Sequence, residues 1–365
     1  MGIRPLLPQR SRSRRRVPGL VASLQSPPTP HRPRRPDPGL TRSQPHGELQ
    51  LEVTKLSVEF DLPGGKKVVA VDDVSFTVGR GQTIGLVGES GSGKSTIGRA
   101  VLGMTPKVIG EISYGRDSEA VSGSRSKDVG ENQMVFQDPY GSLNPRWKIR
   151  RSLAEPLVAR GVARAQIREM VVEAIESVGL NADHLDRLPH EFSGGQRQRI
   201  SIARALIARP RVLVADEAVS ALDVSVQAQV LNSMKRLQRD HDVATIFISH
   251  DLSVIQFIAD RVIVLYFGQI MEEAPVKVAF EAPRHPYTVA LKSALPSVHV
   301  QETEKIRLTG EPPLQHTRVT GCPFASRCPF VLDQCRTDRP ELKILPDSSR
   351  VACHRVAADG TAMYA

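Results

Sequence analysis

A run of glycine and serine residues with one lysine, residues 88–96, carries the clearest chemistry in the sequence. Its glycines allow consecutive backbone N–H groups to turn toward an anion, and a helix after the run would point its positive end at that anion. Lys94 can reach the β- and γ-phosphates of a nucleotide, and Ser95 can hold Mg²⁺. The alternative is an ordinary glycine-rich turn. The predicted phosphate-binding residues are Gly88, Glu89, Ser90, Gly91, Ser92, Gly93, Lys94, Ser95 and Thr96.

Two adjacent acids follow a second apolar run, Val212–Ala215. Asp216 is placed where a carboxylate at a strand end can bind Mg²⁺, and Glu217 can polarise an attacking water as a general base. Alone, such a pair is also typical of a solvated strand end. Together with the loop at residues 88–96, it predicts phosphate hydrolysis.

A second candidate anion site consists of a serine and two glycines before a helical pattern that runs from about residue 196 to residue 208. A serine at a helix N-terminus, with glycines that expose backbone N–H groups, suits an anion. The residues are Ser193, Gly194, Gly195 and Gln196. One chain would therefore carry two phosphate-facing surfaces.

Short apolar runs that alternate with helical patterns must position these residues. The strand candidates include Thr83–Val87, Thr245–Ile248 and Val262–Leu265, in addition to Val212–Ala215. Strands alternating with helices favour a parallel sheet covered on both faces. Alternating apolar residues between Leu49 and Val78 predict three short strands in an antiparallel part at the start.

The charge of the chain is unevenly distributed. The net charge is +10 over 365 residues, but residues 1–47 contain ten Arg and one Asp, so the remainder carries only +1. A nearly neutral body argues against a nucleic-acid-binding domain. The tail has ten prolines and no Phe, Trp or Tyr, which predicts disorder. It either attracts anionic lipid or nucleic acid, or it is a dispensable extension. No apolar stretch approaches the roughly 18 residues that a membrane helix needs.

The segment Phe192–Gln196, together with the motifs above, resembles the nucleotide-binding subunit of an ATP-binding cassette (ABC) transporter over about residues 49–283. The resemblance implies an ATPase in which residues 193–196 meet the γ-phosphate of ATP held by a partner subunit. It implies that Gln137 touches Mg²⁺ and takes part in catalysis, and that His250 contacts the γ-phosphate. Ser220–Asp223 resembles the loop that crosses the dimer interface. Phe60 resembles the aromatic residue that stacks on adenine, although a core aromatic is an equal alternative.

Three further segments resemble the oligopeptide and dipeptide importers: residues 135–146, Val219–Val230 and His285–Thr288. The resemblance implies an ATP-hydrolysing subunit of a peptide importer. Nickel or glutathione import within the same subfamily is the alternative. Another alternative function is that of a cassette ATPase that acts on nucleic acid. The presence of a single cassette and the nearly neutral charge of residues 48–365 argue against this alternative.

The resemblance implies a P-loop NTPase fold of the α/β class. Its parts are a mixed sheet core, an antiparallel β subdomain, an α-helical signature subdomain and a small cysteine-containing C-terminal appendage. The predicted boundaries are a disordered tail at residues 1–47, the ATPase domain at 48–283 and the appendage at 284–365. The implied partners are permease subunits, a second ATP-binding subunit and, through the complex, a solute-binding protein, with no specific nucleic acid. The implied location is the cytoplasmic face of the membrane, as a peripheral subunit.

All four cysteines of the chain lie in the appendage, at Cys322, Cys328, Cys335 and Cys353. Cytosolic location disfavours disulfides, which leaves a metal site or four ordinary thiols. Four thiolates suit an iron–sulfur cluster or Zn²⁺. The resemblance implies a [4Fe–4S] cluster, since some members of the subfamily hold one, with Zn²⁺ as the alternative. His354 is expected to be a neighbour and not a ligand.

Overall fold

The computed structural model describes residues 48–63, 65, 67–115, 132–220, 222–293 and 319–364. The predicted disordered tail at residues 1–47 lies outside these residues. Within the described part, no helix combines the length and the apolar character that crossing a lipid bilayer requires.

The described part begins with a three-stranded antiparallel sheet. Strand β1 (Leu49–Asp61) lies between β2 (Lys67–Gly79) and β4 (Val108–Ser113). The sequence predicts two short strands where β2 is continuous. Asp73 has a φ of 54°, and the pairing register with β1 shifts around it. Asp72 and Asp73 therefore lie in an irregular part of one continuous strand, and the strand does not end there.

Among the described residues, the central sheet has eight strands, in the order β10 (Lys343–Ile344), β11 (Arg350–Val351), β9 (Gln269–Pro275), β8 (Arg261–Tyr266), β3 (Thr83–Val87), β7 (Ala244–Ile248), β6 (Val212–Asp216) and β5 (Gln133–Val135). Its parallel part contains β5, β6, β7, β3 and β8. Every residue of β3, β6 and β7 is buried, as expected for parallel strands covered on both faces. The predicted α/β class with a mixed sheet is confirmed.

Helices cover this sheet, and the chain segment that connects β5 to β6 forms a separate helical layer. The helices outside that layer are α1 (Lys94–Val101), α6 (Val224–Asp240), α7 (Leu252–Ile258), α8 (Val276–Glu281) and α9 (Pro286–Ser293). The layer contains α2 (Pro139–Ser142), α3 (Ile149–Ala159), α4 (Arg164–Ser177) and α5 (Gly194–Ile207), with 3₁₀ turns at Ala182–Asp186 and Pro189–Glu191. Leu153, Ile175 and Ile200 are fully buried where α3, α4 and α5 meet. This apolar contact holds the N-terminus of α5 in place.

The C-terminal segment continues the central sheet. Strand β9 (Gln269–Pro275) pairs antiparallel with β8 and with β11 (Arg350–Val351), which pairs with β10 (Lys343–Ile344). A short helix, α10 (Gln334–Thr337), contains Cys335. The last described part of the chain is therefore hydrogen-bonded to the rest of the central sheet through β9.

A buried carboxylate joins three strands at this junction. Glu273 on β9 has a side chain that is 1% exposed, and it contacts the guanidinium groups of Arg261 on β8 and Arg350 on β11. Arg350 Nη2 also donates to the carbonyl oxygen of Ser75 at 2.7 Å. Burial lowers the pKa of both arginines. Removal of the carboxylate would leave two partly buried guanidinium groups without this counter-charge.

We therefore expect Glu273→Gln to lower the free energy of unfolding by about 3–5 kcal/mol, because one partner of a buried ion pair is lost. The measurement is urea unfolding of the full chain followed by circular dichroism. Glu48→Gln is the matched control, since Glu48 pairs with Arg80 in an exposed bridge and should cost less than about 1 kcal/mol. Equal effects of the two variants would contradict this assignment.

Candidate nucleotide site

The carboxyl ends of four parallel strands place the predicted catalytic residues at one edge of the sheet. The loop of residues 88–96 follows β3, Gln137 lies shortly after β5, Glu217 follows β6 and His250 follows β7. Parallel strands end on the same side of a sheet, and this edge is where open α/β sheets bind ligands.

The loop between β3 and α1 requires glycine at particular positions. Gly88 has a φ of 149°, and a Cβ there would lie 2.1 Å from the carbonyl oxygen of Leu265. Gly93, the residue before α1, has a φ of 98°, and a Cβ there would lie 2.5 Å from the carbonyl oxygen of Ala70. Both glycines are needed because neighbouring backbone fills the space that a side chain would take.

The lysine of this loop is held by loop oxygens. Lys94 Nζ donates to the carbonyl oxygens of Gly88 at 2.8 Å and Glu89 at 2.7 Å, and it lies 3.2 Å from Ser92 Oγ. Burial lowers the pKa of Lys94, and three nearby carboxylates oppose that shift. A buried cation is therefore fixed in the loop, where it can meet phosphate oxygens.

Ser95 and Asp216, predicted to share Mg²⁺, are in direct contact. Ser95 Oγ donates to Asp216 Oδ1 at 2.9 Å. Burial raises the pKa of Asp216, and the hydrogen bond from Ser95 opposes this. A hydroxyl and a carboxylate side by side are the oxygen donors that Mg²⁺ prefers. The two residues therefore fit a magnesium ion. Thr96 is the third residue of α1 and is half-buried.

Glu217 lies between the two other predicted catalytic residues. Its Oε2 accepts a hydrogen bond from Gln137 Nε2 at 2.7 Å, and its Oε1 lies 3.3 Å from His250 Nδ1. The backbone at Glu217 has a φ of 47°, and its N–H donates to the carbonyl oxygen of Ile248 on β7. A left-handed conformation is unusual for glutamate, and such strain concentrates at functional sites. The side chain is 22% exposed, so water can reach the carboxylate.

The second predicted anion site caps α5, as the sequence pattern indicates. Ser193 Oγ accepts from the Gln196 N–H at 3.3 Å, and the Ser193 N–H donates to Gln196 Oε1 at 3.0 Å. Gly194 and Gly195 form the first turn of the helix, and Ser193 is exposed. The contacts described for the loop, Asp216 and Glu217 do not include this helix end.

Three further residues with predicted roles, Phe60, Ser220 and Asp223, are at the surface. Phe60, near the end of β1, is 38% exposed. Asp223 caps α6 by accepting a hydrogen bond from the Val226 N–H at 3.0 Å, and Ser220 Oγ donates to the carbonyl oxygen of Glu217 at 2.9 Å. Ala221, between them, lies outside the described residues. Ser220 is thus hydrogen-bonded directly to the backbone of the candidate general base.

All four cysteines line one small cavity, together with His285, Phe324 and His354. Their thiols are free. Burial raises the pKa of Cys322 to about 12 and that of Cys353 to about 11. Among the described residues, no group of three or more His, Cys, Asp or Glu side chains is arranged to hold a metal ion. The fold thus places the four cysteines around one cavity, but the arrangement of their side chains does not support the predicted metal site.

Sequence reasoning missed the contacts that the C-terminal segment makes with the phosphate loop. The Glu89 N–H donates to Tyr287 Oη, and Arg327 forms an ion pair with Glu89. Tyr287 belongs to the segment His285–Thr288, which the sequence singled out without giving it a role. No sequence signal marked Arg327, because its partner lies more than two hundred residues away in the chain.

Comparisons with known proteins agree with this geometry. A family model described as "ABC transporter" matches residues 71–220, and one described as "Oligopeptide/dipeptide transporter, C-terminal region" matches residues 271–335. The Di/tripeptide transport ATP-binding protein DppF of Pseudomonas aeruginosa is 46% identical over 295 residues, which are 80% of this chain and 91% of the relative. The Putative oligopeptide transport ATP-binding protein YkfD of Bacillus subtilis is 44% identical over 311 residues, covering 83% of this chain and 94% of the relative.

A solved structure shows the same fold. The chain is similar to the "Dimeric structure of a post-hydrolysis state of the ATP-binding cassette MJ0796 bound to ADP and Pi", with a TM-score of 0.57 and 23% identity over 62% of this chain and 98% of that one. At this identity the likeness supports the cassette fold alone. Taken with the relatives and the strand-end site, it leads to one conclusion: the chain belongs to the ABC transporter family, as an ATP-binding subunit with a cassette ATPase fold.

Proposed function

We propose that this chain binds and hydrolyses ATP to drive the import of oligopeptides or dipeptides by a membrane transporter. The observation that carries the hydrolytic part is the cluster at the strand ends: Glu217 contacts Gln137 and His250, beside the Ser95–Asp216 pair. The peptide class rests on the printed names of the relatives and on the matching C-terminal region. Nickel or glutathione as the solute is the alternative within the subfamily.

The loop of residues 88–96 would bind the phosphates of ATP through its N–H groups and Lys94. Ser95, Asp216 and Gln137 would hold Mg²⁺, which neutralises charge on the phosphate oxygens when bound. Glu217 would accept a proton from the attacking water, with Gln137 and His250 fixing its carboxylate. Phe60 would stack on the base. These assignments are supported by the side-chain contacts and by the burial of Lys94 and Asp216.

A second ATP-binding subunit would complete the site. The exposed cap at Ser193–Gln196 is satisfied by internal hydrogen bonds, and its first-turn N–H groups suit an anion. We infer that this cap meets ATP held by the other subunit, because Ser193 is exposed and the contacts given above for the loop, Asp216 and Glu217 come from other elements. Closing and opening of the pair would then drive permease subunits at the cytoplasmic face of the membrane, which receive solute from a solute-binding protein.

We further propose that the four cysteines hold a [4Fe–4S] cluster, with Zn²⁺ as the alternative. The support is the donor set, since four thiols line one cavity walled by Phe324 and Phe330. Four thiolates suit either group, and the resemblance to the peptide importers favours the cluster over Zn²⁺. When bound, such a group would crosslink the C-terminal segment.

Our first expectation concerns the general base. Glu217→Gln should bind Mg-ATP but hydrolyse it about 10²- to 10⁴-fold more slowly, because the amide cannot accept the proton. The measurement is phosphate release by the assembled transporter, with ATP binding measured in parallel. Glu281→Gln, an exposed glutamate at the end of α8, is the control. Parental turnover in Glu217→Gln would refute the assignment.

A second expectation concerns the partner-facing cap. Ser193→Arg should abolish turnover of the assembly while leaving ATP binding by the isolated chain intact, because the bulky side chain obstructs only the phosphate of the other subunit. Asn181→Arg removes a comparable exposed cap elsewhere in the helical layer and should retain turnover. Thermal unfolding of both variants controls for folding. Normal ATP turnover in Ser193→Arg would contradict the proposal that two subunits form one ATP site.

The third expectation concerns the cysteines. Protein purified without oxygen should contain iron and acid-labile sulfide and show a visible absorption band, and Cys328→Ser should lose them because one of four ligands is removed. His354→Ala should retain them, since His354 Nε2 lies 3.0 Å from the carbonyl oxygen of Asp338. Stoichiometric zinc without a band would contradict the cluster, and protein without metal would contradict both forms of the site.

A further inference from the structure

Glu89 places a negative charge in a loop that must bind an anion. It is the second residue of the loop, at a position that the phosphate-binding pattern leaves open. Its carbonyl oxygen accepts the hydrogen bond from Lys94 Nζ at 2.7 Å. An uncompensated carboxylate here would repel the phosphates, because like charges at close range disfavour binding. The loop therefore needs a cation that faces this carboxylate.

Arg327 of the C-terminal segment supplies that cation. Its Nη1 donates to Glu89 Oε2 at 2.6 Å and its Nη2 donates to Glu89 Oε1 at 3.0 Å, so the guanidinium binds both carboxylate oxygens. The arginine side chain is only 6% exposed. Such a bidentate pair of hydrogen bonds fixes the orientation of the carboxylate and also balances its charge.

A tyrosine from the same region holds the backbone of the loop. The Glu89 N–H donates to Tyr287 Oη at 2.9 Å. With the bond from Lys94 Nζ, the N–H, the carbonyl and the carboxylate of Glu89 each have a partner. Tyr287 and Arg327 come from residues beyond 283, so the C-terminal segment fixes the start of the loop.

The position of Arg327 depends on the cysteine segment. Arg327 directly precedes Cys328, and its N–H donates to the carbonyl oxygen of Phe324 at 3.0 Å. Phe324 is fully buried and packs against the rings of Tyr266 and Tyr287, with ring centroids 5.3 Å apart in both pairs. The turn that contains Cys322 and Cys328 is therefore packed against the residues that hold Glu89.

We propose that Arg327 is a positioning residue of the phosphate loop: the turn between Cys322 and Cys328 presents its guanidinium to Glu89, and this contact sets the affinity of the loop for nucleotide. The proposal rests on the proposed function, because it requires that the loop bind ATP. Arg327 acts through Glu89 and does not touch the phosphates.

The test is the dissociation constant of Mg-ATP for the full chain, measured by titration calorimetry. Arg327→Met keeps the apolar stem and removes the guanidinium, and it should weaken binding about tenfold, within the usual range for coupled sites. Arg327→Lys keeps the charge without the bidentate pair of hydrogen bonds and should recover part of this loss. In the assembled transporter, the KM for ATP should rise by a similar factor while kcat changes less.

Arg284→Met is the matched control. Arg284 forms an ion pair with Asp347 at 2.7 Å, also in the C-terminal segment and of similar burial, and this pair does not involve the loop. The control should bind Mg-ATP like the parent. In a Glu89→Gln background, where no carboxylate remains to be held, Arg327→Met should change affinity less than about twofold.

Three results would overturn the proposal. One is an unchanged dissociation constant in Arg327→Met, and the second is the same tenfold loss in the Glu89→Gln background, which would mean that Arg327 does not act through Glu89. The third is a loss of equal size in Arg284→Met, which would indicate general destabilisation of the segment. If the parent chain itself did not bind Mg-ATP, the proposed function would fail first, so the two failures are distinguishable.

Discussion

Parallel strands end on one edge of their sheet, and the arrangement of the candidate site depends on this constraint. Segments that are far apart in the chain, after β3, β5, β6 and β7, meet because hydrogen bonding between strands fixes their ends side by side. The contact of Ser95 with Asp216, and those of Glu217 with Gln137 and His250, are consequences of that register. A one-residue slip of β6 against β7 would place the carboxylates on the wrong face.

The sequence predicted those parts of the molecule that depend on local patterns. The loop of residues 88–96, the buried strands and the cap at Ser193 follow from glycine spacing, apolar runs and helix-start residues, which act within a few positions. It mispredicted β2 as two strands, because an irregular strand can accommodate Asp73 at a positive φ when its neighbours continue the pairing.

Polar contacts between residues far apart in the chain could not be predicted from local sequence patterns. The Arg327–Glu89 pair and the Glu273 cluster join residues whose proximity depends on how β9 and β11 extend the sheet. None of the three arginines involved, Arg327, Arg261 and Arg350, differs in its local sequence from an exposed one. The burial of their charges becomes visible only when the topology is known, and it is energetically acceptable only because each charge has a partner.

The measurement that tests the account most directly is an experimental structure of the assembled transporter with Mg-ATP, in a variant that binds but does not hydrolyse it. We expect the phosphates to lie in the loop with Lys94, Mg²⁺ beside Ser95 and Asp216, and the Ser193 cap of the second ATP-binding subunit across the γ-phosphate. Nucleotide bound away from the loop, or enclosed by one chain alone, would contradict the account.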